Sequence, residues 1–248
     1  YYIDITYWVG TAIIAIFVLG ACNSANLIDG LDGLLSGVVA ITVCGLIAIS
    51  VMVVVTMTPD QLGHIKTILP IDYFGTRGNG ITLMGANIVI GLPVLGAVLG
   101  FLIFNFNPAS IFLGDTGSLL LGYLCIAMIL MLGEKAQTHL VLAGLIVFAL
   151  PILDTLLAII RRKIAGKPMS EPDSNHIHHI IKRHIGGVKT TVFALYGISS
   201  IFCLLGIALA WAHLTQAIRA WVIYIVAIII FGGISLVALR AARRHETN

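Results

Sequence analysis

The chain has 248 residues, 59% of them hydrophobic and 10% charged, with a net charge of +3 and a mean hydropathy of +1.05. An average soluble domain carries about 25% charged residues, so a water-soluble globule, a disordered chain and a collagen-like rod are excluded. What remains is an all-α, polytopic transmembrane bundle, because runs such as Leu140 to Leu150 do not alternate as barrel strands would.

A bilayer core about 30 Å thick needs about 20 mostly apolar residues per helix. That criterion predicts seven spans, near 4–21, 34–57, 86–104, 117–133, 138–160, 190–211 and 218–240, the fourth being short. The segment 161–189 holds Arg161, Arg162, Lys163, Lys167, Lys182, Arg183 and Lys189, and the tail adds Arg240, Arg243 and Arg244. The alternate loops carry only Lys66, Arg77, Lys135 and Arg219. The excess of basic residues on one side predicts an N-out, C-in topology. The outer 58–84 segment, with Pro59 and Pro70, reads as a turn-rich loop without chemistry.

The remaining composition is quiet. Cys22, Cys44, Cys125 and Cys203 form no CxxC pair and read as small packing residues. No basic stripe with interleaved aromatics points to nucleic acid. The chain begins at Tyr1 inside apolar sequence, without a signal peptide's n-region or cleavage site, and truncation of the natural N-terminus is expected.

Given this topology, three polar motifs fall on the cytosolic face. The first is Asn23-Ser-Ala-Asn26-Leu-Ile-Asp29-Gly30-Leu31-Asp32-Gly33-Leu34. A polar turn accounts for one Asp-Gly pair, and a helix cap for one aspartate, but not for two such pairs and two asparagines. An EF-hand is excluded because its oxygen ligands alternate along a longer loop. The second motif is Asn105-Phe-Asn107-Pro108-Ala-Ser-Ile-Phe112-Leu-Gly114-Asp115-Thr116-Gly117-Ser118. Asp115 reads as an N-cap, as a ligand for Mg²⁺, a hard cation that shares its shell with substrate phosphates, or as both; the ligand role is favoured. Phe112 is a membrane anchor or a surface on which a flat base stacks.

Helices that start near Leu34 and Gly117 aim free N–H groups and positive dipole ends at whatever binds between the motifs. A phosphate-bearing, cytosolic substrate fits. The third motif is Ser170-Glu-Pro-Asp173-Ser-Asn175-His176-Ile-His178-His179. Its histidines lack the HExxH spacing and a cysteine partner, which argues against zinc. Beside Lys and Arg, imidazoles suit phosphate binding or proton handling. Asp154 sits within the fifth span, where a carboxylate costs roughly 2.5–3.5 kcal/mol and therefore faces a partner or a polar cavity. Gly96 and Gly100 read as a helix-packing pair. His64, His139, His184, His213 and His245 receive no role.

Together, N-x2-N-x2-D-G-x-D-G-L, N-x-x-P-A-x-x-F-x-G-D-T-G-S and S-x-P-D-x-x-H-I-H-H resemble, in order, the motifs of the polyprenyl-phosphate N-acetylhexosamine-1-phosphate transferases of glycosyltransferase family 4. The HIHH form resembles the WecA/TagO-like branch more than the related MraY branch, which usually has HHH. The resemblance implies transfer of a sugar 1-phosphate, usually N-acetylglucosamine 1-phosphate, from a UDP-N-acetylhexosamine to a polyprenyl phosphate. UMP is released, cell-wall or surface-polysaccharide synthesis is initiated, and Mg²⁺ is the implied cofactor.

The same resemblance implies Asp115 and Asn26 as metal ligands. It implies Asp29, Asp32, His176, His178 and His179 as catalytic positions, and Asn23, Gly30, Leu31, Asn105 and Phe112 as substrate-binding positions. It places the protein in the plasma membrane with a cytoplasmic site, and leaves a homodimer open. The family also carries an Asp-Asp pair in an early cytosolic loop, and no Asp-Asp occurs in these 248 residues. Relatives of this branch have eleven spans, so the seven spans here correspond to the last seven, and this segment alone is expected to be inactive. A transporter built on Asp154 and a catalytically inactive lipid-binding scaffold are the rival readings.

Overall fold

The computed structural model describes residues 5–56, 82–134, 137–164, 166 and 176–233. Lys66 and Arg77 of the segment predicted as an outer loop, Lys135, Lys167, Asp173, Asn175 and the basic tail lie outside the described residues. Among those described, every regular element is a helix: α1 Ile5–Ile28, α2 Leu34–Thr56, α3 Leu83–Asn105, α4 Gly114–Met131, α5 Thr138–Val147, α6 Ala149–Ile164, α7 Ile177–Ile185, α8 Val188–Leu214 and α9 Ala220–Ile228, which passes into a π-turn over Ile229–Gly233.

Helices α1, α2, α3, α4 and α8 are each long and apolar enough to cross a membrane. The predicted single span 138–160 is instead a broken pair, α5 and α6, bent by 80° at Phe148. Pro151 explains the start of α6, because a proline is tolerated in the first turn of a helix and not in its interior. The predicted seventh span is described only as far as Gly233.

Two boundaries differ from expectation in ways that matter for the site. The first span was expected to end near residue 21, yet α1 continues to Ile28, so Asn23 and Asn26 are helical. No Gly or Pro interrupts residues 21–29, and the Asn23 side chain satisfies itself on its own helix through a 2.8 Å bond from Nδ2 to the Leu19 carbonyl. The basic 161–189 segment contains the amphipathic helix α7. Its Ile177 and Ile181 pack against the core while Lys182 and His184 face outward.

Helix α2 is the hub of the bundle. It packs against α3 on one side and α8 on another, α1 packs on α4 and α6, and α5 packs on α8. Residues such as Leu35, Val39, Leu46 and Ile49 are buried all round it. Small residues set the close approaches, as expected between helices in lipid. At Gly122 of α4 an added Cβ would lie 2.7 Å from the Ala21 carbonyl oxygen and 2.8 Å from the Cys22 Cα, both backbone atoms of α1. Gly96 and Gly100, expected to seat a helix, have nothing within 4 Å of an added Cβ among the described residues. The Gly122→Ala variant is therefore expected to lose about 1–3 kcal/mol by overpacking, whereas Gly96→Ala is expected to be neutral or slightly stabilising. Thermal unfolding of both variants in detergent checks the contrast, and equal midpoints would refute it.

Candidate active site

The first two motifs meet at one end of the bundle. After α1 the chain turns through Asp29–Gly33, with Gly30 N–H donating to the Ile28 carbonyl at 2.8 Å and Leu34 N–H to that of Leu31 at 2.9 Å. Gly33 takes φ +78°, a left-handed conformation that favours glycine, and α2 begins immediately. After α3 the second loop closes with Ser110 N–H on the Phe104 carbonyl at 2.8 Å, and α4 begins at Gly114, where φ is +62°.

Polar side chains hold the loops together. Asn105 is buried and uses both ends of its amide: Oδ1 accepts from the Ser36 hydroxyl at 2.5 Å and from Gly33 N–H at 3.2 Å, and Nδ2 donates to the Ile111 carbonyl at 2.9 Å. Asp32 accepts through Oδ2 from Asn107 Nδ2 at 2.9 Å and Ala109 N–H at 3.2 Å. The Tyr196 hydroxyl of α8 donates to the Gly33 carbonyl at 2.5 Å, and its ring fills the space a side chain at Gly37 would need.

Between the loops lies a cavity of about 390 Å³. Asn26, Asp29 and Asp115 line its polar side, Gly30, Leu31 and Asp32 one wall, and Asn105, Phe112, Leu113 and Gly114 the other. Phe112 stands at the rim, 73% exposed. Asp115 is not the N-cap of α4. That place is taken by Leu113, which makes no side-chain cap bond, and Asp115 lies in the first turn with its carboxylate exposed. Asn26 Nδ2 donates to Asp115 Oδ1 at 3.1 Å and to Ser118 Oγ at 2.8 Å, which leaves the amide oxygen of Asn26 to act as an acceptor. Burial, and after it the charge of Asp115, pushes the Asp29 carboxyl up to about 6.

Two carboxylates that strain against each other beside an amide oxygen make a hard-oxygen set of the kind Mg²⁺ takes, completing its shell with water and phosphate. Among the described residues, no three His, Cys, Asp or Glu side chains are grouped to hold an ion by themselves.

The histidines stand behind this cavity and do not line it. His178 is buried against Gly30, where an added Cβ would lie 2.4 Å from its Nε2, and neither of its ring nitrogens has a hydrogen-bond partner among the described residues. Burial, with a smaller contribution from neighbouring His179, lowers its pKa to about 4, so it is neutral at pH 7. His179 is half-buried with its ring 4.2 Å from that of His178. His176 is buried and its Nδ1 meets Asp154 Oδ2 at 2.9 Å.

Of the twelve site residues drawn from the sequence, eight line the cavity, and of the three histidines His178 alone reaches it, through Gly30. The twelfth, Asn23, is exposed and turned onto its own helix, and among the eight Asn105 also hydrogen-bonds within the protein. Asn107, Ser118 and Tyr196 are the contributors that sequence reading passes over. Asn107 and Ser118 lie within the quoted motif and were overshadowed by Asp115, while Tyr196 sits in an apolar run with no polar neighbour to mark it.

An all-helical, multi-pass membrane protein with a polar, acidic cavity at one end of its bundle is the class these features define. Residues 1–133 match glycosyl transferase family 4, and the chain belongs to that family. It is 34% identical over 203 residues to the Bacillus subtilis protein named "Probable undecaprenyl-phosphate N-acetylglucosaminyl 1-phosphate transferase", covering 82% of this chain and 49% of that protein. It is 34% identical over 179 residues to a phospho-N-acetylmuramoyl-pentapeptide-transferase of Bacillus cytotoxicus, covering 71% of this chain and 45% of the relative. The corresponding protein of Bacillus thuringiensis is 33% identical over 172 residues, or 69% of this chain and 43% of its own. The chain thus spans about half the length of the curated relatives it matches.

Proposed function

We propose that the protein transfers an N-acetylhexosamine 1-phosphate, N-acetylglucosamine 1-phosphate in the first instance, from a UDP-sugar to a polyprenyl phosphate at the cytoplasmic face of the plasma membrane. The observation that carries this reading is the convergence of Asn26, Asp29, Asp32 and Asp115 with the N-termini of α2 and α4 on one cavity. The name of the Bacillus subtilis relative supplies the undecaprenyl phosphate and the N-acetylglucosaminyl 1-phosphate group. In the reaction, an oxygen of the lipid phosphate attacks the phosphorus that bears the sugar. The bond from that phosphorus to the bridging oxygen breaks, and UMP leaves with the electron pair. One diphosphate replaces another, so the protein's work is alignment and charge neutralisation.

Asp115, Asn26 and Asp29 would hold the Mg²⁺. When bound, the ion neutralises diphosphate charge that the two carboxylates would otherwise repel. The free N–H groups at the start of α4 would bind the anionic oxygens of the diphosphate. Phe112 offers a flat, exposed ring for uracil. Asp32 keeps the second loop in register through Asn107 and Ala109. An apolar groove of about 510 Å³ runs along α1, from Ile16 to Ser24, and along α6, from Ile152 to Ile159. Its Ser24 end is two residues from Asn26, which suits an isoprenoid tail whose phosphate must reach the cavity.

A transporter loses its main support, because Asp154 is committed to His176 and Ile177 and the polar motifs gather at one end of the bundle. The test uses the complete gene product in proteoliposomes with sugar-labelled UDP-N-acetylglucosamine and polyprenyl phosphate. The expected result is label in the lipid with UMP released in equal amount, abolished by EDTA and restored by Mg²⁺. Absence of lipid label, or transfer indifferent to EDTA, would overturn the substrate or the cofactor assignment respectively.

A further inference from the structure

Asp154 has no solvent exposure, and both its oxygens are taken by a different segment of the chain. Oδ1 accepts the backbone N–H of Ile177 at 2.7 Å, and Oδ2 meets His176 Nδ1 at 2.9 Å. An ionised carboxylate only accepts, so beside it the imidazole carries a proton on Nδ1, and in the neutral ring the lone pair is then on Nε2. The ring so fixed lies parallel to that of His178, with centroids 5.6 Å apart and planes 8° from each other. His178 in turn presses on Gly30, a wall of the cavity. A continuous run of contacts therefore leads from the broken span to the site.

We propose that Asp154 is a positioning residue: it sets the tautomer and orientation of His176 and, through the stacked rings, the seat of His178 against Gly30. The catalytic consequence rests on the transferase reading above; the geometric one does not. The bend at Phe148 gives this arrangement its reason, since it starts a new helix, α6, on which Asp154 is placed beneath the start of α7. A simpler role is open to the same carboxylate, that of capping α7 through Ile177.

Asp154→Asn separates the two. A carboxamide oxygen still accepts the Ile177 N–H, so a cap survives. Its NH₂ then faces His176 Nδ1 and requires a lone pair there, moving the proton to Nε2. In the complete gene product carrying ¹⁵N-histidine, NMR of D154N is expected to show His176 in the Nε2–H tautomer. Turnover is expected to fall about 10–100-fold, the range for loss of a group that orients a functional imidazole, with KM for the UDP-sugar held within about twofold. An unchanged tautomer, or wild-type kcat in D154N, would overturn the proposal and leave a cap.

Should D154N not fold, His176→Asn decides. It keeps an N–H donor for Asp154 but has no Nε2, so a lower kcat at constant KM supports the proposal and an unchanged kcat refutes it. Failure of the wild-type protein to transfer sugar phosphate would instead remove the transferase reading, and the tautomer measurement would then judge Asp154 by itself.

Discussion

Asp115→Asn in the complete gene product is expected to lower transfer by about two to three orders of magnitude, the scale of losing one group that stabilises transition-state charge, without loss of folded protein. The side chain is exposed, and Asn26 donates to it at 3.1 Å, a bond that an isosteric amide oxygen can still accept. What disappears is a negative charge at the mouth of α4. Because that charge also helps raise Asp29, its removal should bring the Asp29 titration down towards the ordinary carboxylate range.

The same shift gives the wild type a pH signature. With Asp29 near 6 folded against 3.8 unfolded, the native state holds the extra proton between those values. The metal-free protein therefore loses stability as pH rises through that window. A bound cation requires the deprotonated form, so apparent Mg²⁺ affinity should fall by about tenfold per unit below pH 6. Isothermal titration at several pH values reads this directly; an affinity flat from pH 5 to 7 would remove Asp29 from the cation's neighbourhood.

The helical architecture was legible because lipid enforces it. Long apolar runs with few charges have no other way to satisfy their backbone, and the runs at 34–57 and 190–211 became α2 and α8 with little change. Breaks within apolar sequence were less visible. Pro151 is the one mark of the 80° bend, and hydropathy alone reads straight across it. The amphipathic α7 was hidden by its charges, which count towards topology before they count as one face of a helix.

At the site, motif spacing located the residues but not their division of labour. Asn105 lines the cavity and at the same time brackets the two loops, whereas Asn26 keeps an oxygen for use. Such distinctions depend on which neighbour arrives from a distant helix. For Asp154 the sequence allowed a structural partner or membership of the site. The partner proves to be His176, a residue of the third motif, so the two alternatives meet in one contact.

That contact also explains why a single methyl group at Gly30 should matter. In Gly30→Ala the new Cβ would fall 2.4 Å from His178 Nε2 and 2.9 Å from its Cε1. Something must shift, and the imidazole has little freedom. It is buried, with His176 parallel on one side and His179 at 4.2 Å. Helix α7 is held in turn by Asp154. Either the ring swings away from the cavity or the Asp29–Gly33 turn moves outward, and both separate the histidines from the carboxylates. Gly30 is exposed and has a φ outside the left-handed range, so alanine adds no backbone strain. The expected outcome is therefore a thermal midpoint close to wild type with transfer reduced about 10–100-fold, the size of effect seen when supporting groups of a site are displaced. The double variant Gly30→Ala with His178→Ala relieves the clash, and it should be no slower than His178→Ala alone. If Gly30→Ala transfers sugar phosphate at the wild-type rate, the seat of His178 against this glycine has no part in the chemistry.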